Sequence, residues 1–92
     1  MEFRDTVDMM LSDDYKERFK AEYYQTKERY ERLKALNNKI EAATLHSFNY
    51  RSSFVEMPEH DCPDSLLKEQ QKAMGEYLHI LEIRACFERI KL

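Results

Sequence analysis

Residues 15–43 read YKERFKAEYYQTKERYERLKALNNKIEAA, and neither glycine nor proline interrupts them. Within this stretch Phe19, Tyr23, Thr26, Tyr30, Leu33, Asn37 and Ile40 recur at alternating spacings of four and three. That is the seam of a helix packed lengthwise against another helix. At 1.5 Å per residue the stretch predicts a rod of ~45 Å. A compact chain of this size has a radius of gyration near ~12–13 Å. The rod is longer than such a globule is wide, so the spacing predicts an elongated molecule.

Upstream, Phe3, Val7, Met10 and Leu11 fall on one face of a helical period. They predict a short helix over about 3–11. Ser12 followed by Asp13 and Asp14 reads as an N-cap with acidic groups in the first turn, which starts the long helix near residue 13. Downstream, residues 44–62 lose the period and read as a loop, with a short strand pair as the alternative. Phe48, Tyr50, Phe54, Val55 and Met57 make that loop aromatic-rich, so it packs back onto something. Cys62-Pro63-Asp64-Ser65 then opens a second long helix over about 63–91, since proline and an acidic residue both suit a first turn.

This second helix carries two apolar stripes. One is Leu67, Met74, Leu78, Leu81 and Ala85; the other is Leu66, Ala73, Tyr77, Ile80 and Phe87. A face that wide exceeds what one partner helix covers. Gly75, the chain's single glycine, costs ~1 kcal/mol in mid-helix relative to alanine, so the position predicts a close approach. Residues 1–92 therefore read as one all-α domain, a short N-terminal helix followed by a long antiparallel hairpin. The uncovered apolar surface predicts a homo-oligomer, with Tyr77, Ile80, Ile83, Phe87 and Ile90 in the interface.

The chain has 92 residues, 15 basic and 18 acidic, for a net charge of −3. One glycine and two prolines exclude glycine-rich phosphate loops and most all-β folds. The net charge also argues against a binder of nucleic acid polymers. Charge is unevenly spread, however. Residues 15–40 carry eight basic and four acidic groups, a net of +4, between flanking segments 1–14 and 41–64 at −4 each. A local basic element in an acidic chain suits a small anion. No apolar run approaches the ~18–20 residues that span a bilayer. Met1-Glu2-Phe3-Arg4-Asp5 lacks the basic start and apolar core of a signal peptide. The expected location is a reducing cytoplasm, with Cys62 and Cys86 as free thiols.

Candidate ligand-binding residues lie mostly on the first long helix. Lys16, Lys20, Tyr24, Lys27 and Lys34 fall close to one face, with Arg18, Arg29 and Arg32 in a neighbouring row. Lysine and arginine supply charge and donors to phosphate oxygens, and tyrosine offers a ring that stacks on a base. A solvated face laced with ion pairs such as Glu28–Arg32 accounts for the same pattern. Tyr23 stands on the seam, where its hydroxyl needs a partner. Arg84 adjoins the apolar surface, where it pairs between subunits or meets a ligand. In the loop, Arg51 is the only cation between Lys39 and Lys68. With Phe48, Tyr50 and Phe54 it forms either a pocket wall or a plug on the hairpin end. His60-Asp61-Cys62 lacks a further ligand at zinc spacing, so no metal and no cofactor is expected. No catalytic motif occurs, and the expectation is a protein that is not an enzyme.

Two segments carry a family resemblance. Asp14-Tyr15-Lys16-Glu17-Arg18-Phe19-Lys20-Ala21-Glu22-Tyr23, continuing through Lys27 to Leu33, is the first. Cys62-Pro63 with Leu66, Leu67, Gln70, Ala73, Met74, Tyr77, Leu78, Leu81, Glu82, Arg84 and Ala85 is the second. Together they resemble a family of small helical-hairpin proteins of tailed phages and prophages of gut Firmicutes and of crAss-like phages. The layout is similar to phage anti-CBASS and anti-Thoeris sponge proteins. The likeness implies an oligomer that sequesters a nucleotide-derived immune signal, of cyclic-nucleotide or ADP-ribose type, between chains in the bacterial host cytoplasm. The rival expectation is a helical inhibitor or adaptor that docks on a host or phage protein.

Overall fold

The computed structural model describes residues 5–48 and 56–92. They form three α-helices: α1 (Asp5–Met10), α2 (Tyr15–Phe48) and α3 (Asp64–Glu88). There is no strand among the described residues. Arg51, with Tyr50 and Phe54, lies outside them, and of the Phe48 side chain nothing is described.

Local chemistry sets each helix end. The Asp14 carboxylate accepts from the Lys16 backbone N–H at 2.9 Å, so Asp14 rather than Ser12 is the N-cap of α2. Ser12 Oγ instead accepts from the Asp14 N–H at 3.1 Å and shapes the turn before it. At its other end α2 passes the expected stop at residue 43 and continues to Phe48. Ala42 to Leu45 contain no breaker, and the Thr44 hydroxyl donates to the Ile40 carbonyl at 2.8 Å. That bond keeps a residue prone to leave helices inside this one. The helix α3 ends at Glu88 because Arg89 adopts a left-handed conformation, φ 57° and ψ 43°. The Ile90 N–H then reaches back to the Ala85 carbonyl at 2.9 Å, a Schellman-type stop.

That reversal corrects one expectation. Ile90 is not an interface residue. It is only 6% exposed and belongs to the chain's own core, with Phe19, Tyr23, Leu78, Leu81 and Ala85.

The helices α2 and α3 run antiparallel. Tyr15 meets Glu88, Tyr23 meets Glu82, and Asn37 meets Leu67 and Gln71. The seam read from the sequence holds this contact, with Phe19, Tyr23, Asn37 and Ile40 buried. Asn37 is the polar exception. Its amide donates to the Leu67 carbonyl at 3.2 Å and to Gln71 Oε1 at 2.8 Å. A satisfied buried amide resists any slip of the two helices. The short α1 packs against α2, tied by the Gln25 amide donating to Thr6 Oγ1 at 2.9 Å. The molecule measures 55 × 25 × 23 Å with a radius of gyration of 17.2 Å, well above the ~12 Å of a compact chain this long.

The entry to α3 depends on a histidine. His60 Nδ1 lies 2.7 Å from the Pro58 carbonyl and Nε2 lies 2.6 Å from Asp64 Oδ1. With an acceptor at each nitrogen, the surroundings favour the imidazolium over the neutral ring. Its pKa is raised, first by the Pro58 carbonyl and then by the Asp64 carboxylate. A raised folded pKa means that the stabilisation is full below the unfolded value near 6.5 and lost as pH rises through the folded one. We expect the melting temperature to decline across that window in the native chain and the decline to flatten in His60→Gln. A pH series of thermal melts on both proteins checks this.

Candidate functional site

On the face of α3 directed at α2 lies the stripe Leu67, Leu78, Leu81 and Ala85. Beside it, Lys68, Lys72, Gly75 and His79 recur at spacings of four, three and four, which aligns them along one flank of the helix. Opposite stand Tyr30, Asn38 and Glu41 of α2. Between the two helices opens a groove of about 860 Å³ lined by these residues together with Asn37, Gln71, Glu76 and Ile80. Small-molecule sites commonly have volumes of ~300–1,000 Å³.

Gly75 shapes the middle of this groove. A Cβ there would sit 3.2 Å from Tyr30 Cε1, tighter than an ordinary contact, so the absent side chain lets the tyrosine ring lie close to the helix. The close approach predicted for Gly75 is thus an approach by a ring. Tyr30 and Gly75 also border a smaller hollow of about 200 Å³ with Tyr23, Lys27, Glu31 and Glu82. The ring therefore stands between two openings on one flank.

The groove mixes its chemistry. Lys68 and Lys72 offer donors and positive charge, His79 an imidazole ring, Asn38 a two-sided amide, and Glu41 and Glu76 acceptors. Tyr30 adds an aromatic face. Phosphate oxygens pair with the lysines, hydroxyls and ring amines with the carboxylates and amides, and a base with the ring. Such a set suits a small anion that also carries neutral polar and aromatic groups better than a long polyanion.

The residues expected from the sequence do not converge on one point. Lys16 donates to the Arg89 carbonyl at 3.4 Å and Lys20 pairs with Glu17 at 3.6 Å. Lys27 sits over the Tyr23 ring, 5.8 Å from its centroid. Tyr23 itself is buried, donates to Glu82 Oε2 at 2.6 Å, and its pKa is pushed up to about 12 by burial and by that carboxylate. Tyr24 packs edge-on against it at 5.2 Å.

Arg18 lies on the other flank of α2 and donates to the Ser12 carbonyl at 2.8 Å. There it lines a second groove of about 460 Å³ with Met10, Glu22, Gln25, Thr26 and Arg29.

Arg84 is engaged within its own chain. It donates to Glu88 Oε2 at 2.9 Å and to the Tyr15 hydroxyl, and its guanidinium lies 5.0 Å from the Phe19 ring centroid. Tyr15 donates to Glu88 Oε1 at 2.8 Å. The Glu88 carboxyl is held below its ordinary range, first by the Tyr15 hydroxyl and also by Arg84. This cluster fastens the start of α2 to the end of α3. Among the expected interface residues, Tyr77 donates to Glu22 and remains partly open, while Ile80, Ile83 and Phe87 are exposed.

Lys68, Lys72 and Asn38 were not singled out by the sequence reading. The signal was available, since the 68–72–75–79 spacing runs parallel to the buried stripe one residue earlier on the helix. Among the described residues no group of three or more His, Cys, Asp or Glu is placed to hold a metal ion. None of the described helices is long and apolar enough to cross a membrane.

A family model described as Sequestin matches residues 13–86. No curated protein and no solved structure gives a significant match.

Proposed function

The chain belongs to the Sequestin family, and on that premise we propose that it binds a nucleotide-derived immune signal and holds it without changing it. The signal is of cyclic-nucleotide or ADP-ribose type. The setting is the bacterial host cytoplasm during phage infection, and the working form is a homo-oligomer.

One observation carries this reading. The family match runs over residues 13–86 and so takes in both helices that wall the 860 Å³ groove. The family's name speaks of sequestering, and a groove of that size with lysine, amide, carboxylate and tyrosine groups supports a nucleotide as the cargo. Sequestration needs no chemistry. It works by mass action once the protein exceeds both the ligand and the dissociation constant.

The test is direct. Purified protein is mixed with a panel of cyclic dinucleotides and cyclic ADP-ribose isomers, repurified, then denatured, and the released material is identified by mass spectrometry. One intact compound recovered in proportion to the protein is the expected result. Recovery of a cleaved product would make the protein an enzyme. Recovery of nothing would turn the reading to a helical inhibitor that docks on another protein.

A further inference from the structure

We infer that the hollow on the far side of Tyr30 is a base subsite, and that it selects a nucleobase carrying an exocyclic amino group. This rests on the nucleotide-binding reading above and names the part of the cargo that the chain recognises.

Tyr30 divides one interhelical groove into two compartments. Its side chain leaves α2 and reaches Gly75 of α3, where a Cβ would lie 3.2 Å from Cε1 and 3.5 Å from the hydroxyl oxygen. On the side toward the Asn37–Leu67 contact lies the large groove with Lys68 and Lys72. On the side toward the Tyr23–Glu82 contact lies the hollow of about 200 Å³. Both compartments are lined by Tyr30 and Gly75. Lys72 precedes Gly75 by three residues, ~4.5 Å of helix rise. A phosphate held by Lys72 and a base held in the hollow therefore occupy neighbouring levels of the same helix.

The walls of the hollow suit a flat ring. Tyr23 and Leu78 are buried there, and Tyr30 packs against the same core. Aromatic and aliphatic walls hold any base, because every base has a π-face, and they do not tell one base from another. Discrimination falls to the charged groups, which are Glu31, Glu82 and Lys27. The Glu31 carboxylate makes no hydrogen bond or ion pair among the described residues. Glu82 takes the Tyr23 hydroxyl on Oε2 and keeps its other oxygen. Carboxylates accept and never donate when ionised. An exocyclic amino group brings two N–H donors to them. A carbonyl at the same ring position sets lone pairs against the carboxylates and leaves them unpaired, the mismatch by which a polar site rejects an analogue. Lys27, 5.8 Å from the Tyr23 ring centroid, adds one donor for the ring nitrogen beside that amino group.

Adenosine monophosphate and inosine monophosphate test this, since one carries an amino group where the other carries a carbonyl. In calorimetric titrations of the native protein we expect the adenine nucleotide to bind at least about tenfold more tightly, the value of one hydrogen bond to a charged group. Glu31→Gln should bring the two affinities together, because an amide both donates and accepts. Glu31 is exposed, so the melting temperature should not move. Lys68→Glu with Lys72→Glu should weaken both nucleotides alike and preserve their ratio. Equal affinities in the native protein would overturn the subsite, as would a Glu31→Gln protein that keeps the full preference. If neither monophosphate binds while the recovery experiment returns an intact nucleotide, the base subsite alone falls. If neither experiment yields a bound nucleotide, the nucleotide reading falls and the subsite with it.

Discussion

Replacing Lys68 and Lys72 together by glutamate is expected to weaken binding of the nucleotide signal at least about 100-fold, with the fold intact. A hydrogen bond to a charged group contributes about 1.5–3 kcal/mol, and each 1.4 kcal/mol is tenfold in affinity. Two such bonds lost, with the charge reversed, account for the size of the effect. Both lysines are exposed on one flank of α3, and substitutions at such positions shift stability by only about 0.5 kcal/mol. Titration calorimetry with the compound recovered from the native protein measures the first quantity, and a thermal melt the second. Arg18→Ala serves as the comparison, because Arg18 lines the separate groove beside α1. If Arg18→Ala abolishes binding and the lysine pair leaves it unchanged, the cargo sits in that second groove.

The helical hairpin was legible because its signal is periodic. The seam from Phe19 to Ile40 appears in the sequence as alternating fours and threes, and four of its residues, Phe19, Tyr23, Asn37 and Ile40, are buried in the structure. The two stripes of α3 were legible too: Leu67, Leu78, Leu81 and Ala85 of one are buried, while Leu66, Ile80 and Phe87 of the other stay exposed and its Tyr77 reaches Glu22 of α2. Neither stripe by itself says which of them the chain keeps for itself. What settles that is the pairing of Asn37 with Leu67 and of Tyr23 with Glu82, contacts between residues 30 and 59 positions apart. Ile90 shows a different failure. Continuing the helix period past Glu88 places it outside, but one left-handed residue, Arg89, turns the chain and buries it.

The candidate site was legible only in type. Cations and a tyrosine on a helical hairpin were the chemistry the sequence pointed to, and the groove between α2 and α3 is lined by the same residue types. The net charge of residues 15–40 drew attention to α2, where most cations are occupied by carboxylates, carbonyls or a ring. Lys68 and Lys72 stand in a segment of nearly balanced charge, so composition did not mark them. A groove between two helices belongs to neither sequence segment. It arises where Gly75 leaves room for the Tyr30 ring, a conjunction of residues 45 positions apart that periodicity along one helix does not express.

Leu81→Ala is expected to destabilise the protein by about 3–4 kcal/mol. Leu81 is 0% exposed and shares the core cluster with Phe19, Tyr23, Leu78, Ala85 and Ile90. Removing a buried leucine side chain loses its transfer free energy and leaves a cavity, together about 2–5 kcal/mol. The upper half of that range applies because the Tyr23 hydroxyl is fixed to Glu82 and the Tyr15–Arg84–Glu88 cluster holds the helix ends together, so the walls cannot close readily. A domain of this size is stable by only about 5–14 kcal/mol in all, and each kcal/mol shifts its midpoint by roughly 4–8 °C. The change should therefore lower the melting temperature by more than about 10 °C. Phe87→Ala supplies the contrast. It removes a larger side chain from the same helix, yet one that its own chain leaves 85% exposed. In the dissociated form Phe87→Ala should cost at most about 0.5 kcal/mol, whereas in the assembled form its cost should grow with protein concentration. Melts at several concentrations separate the two stripes: a concentration-independent loss at Leu81 and a concentration-dependent one at Phe87. Equal, concentration-independent losses at both positions would mean that the chain buries Phe87 in its own core, and the division of α3 into an inner and an outer stripe would fall.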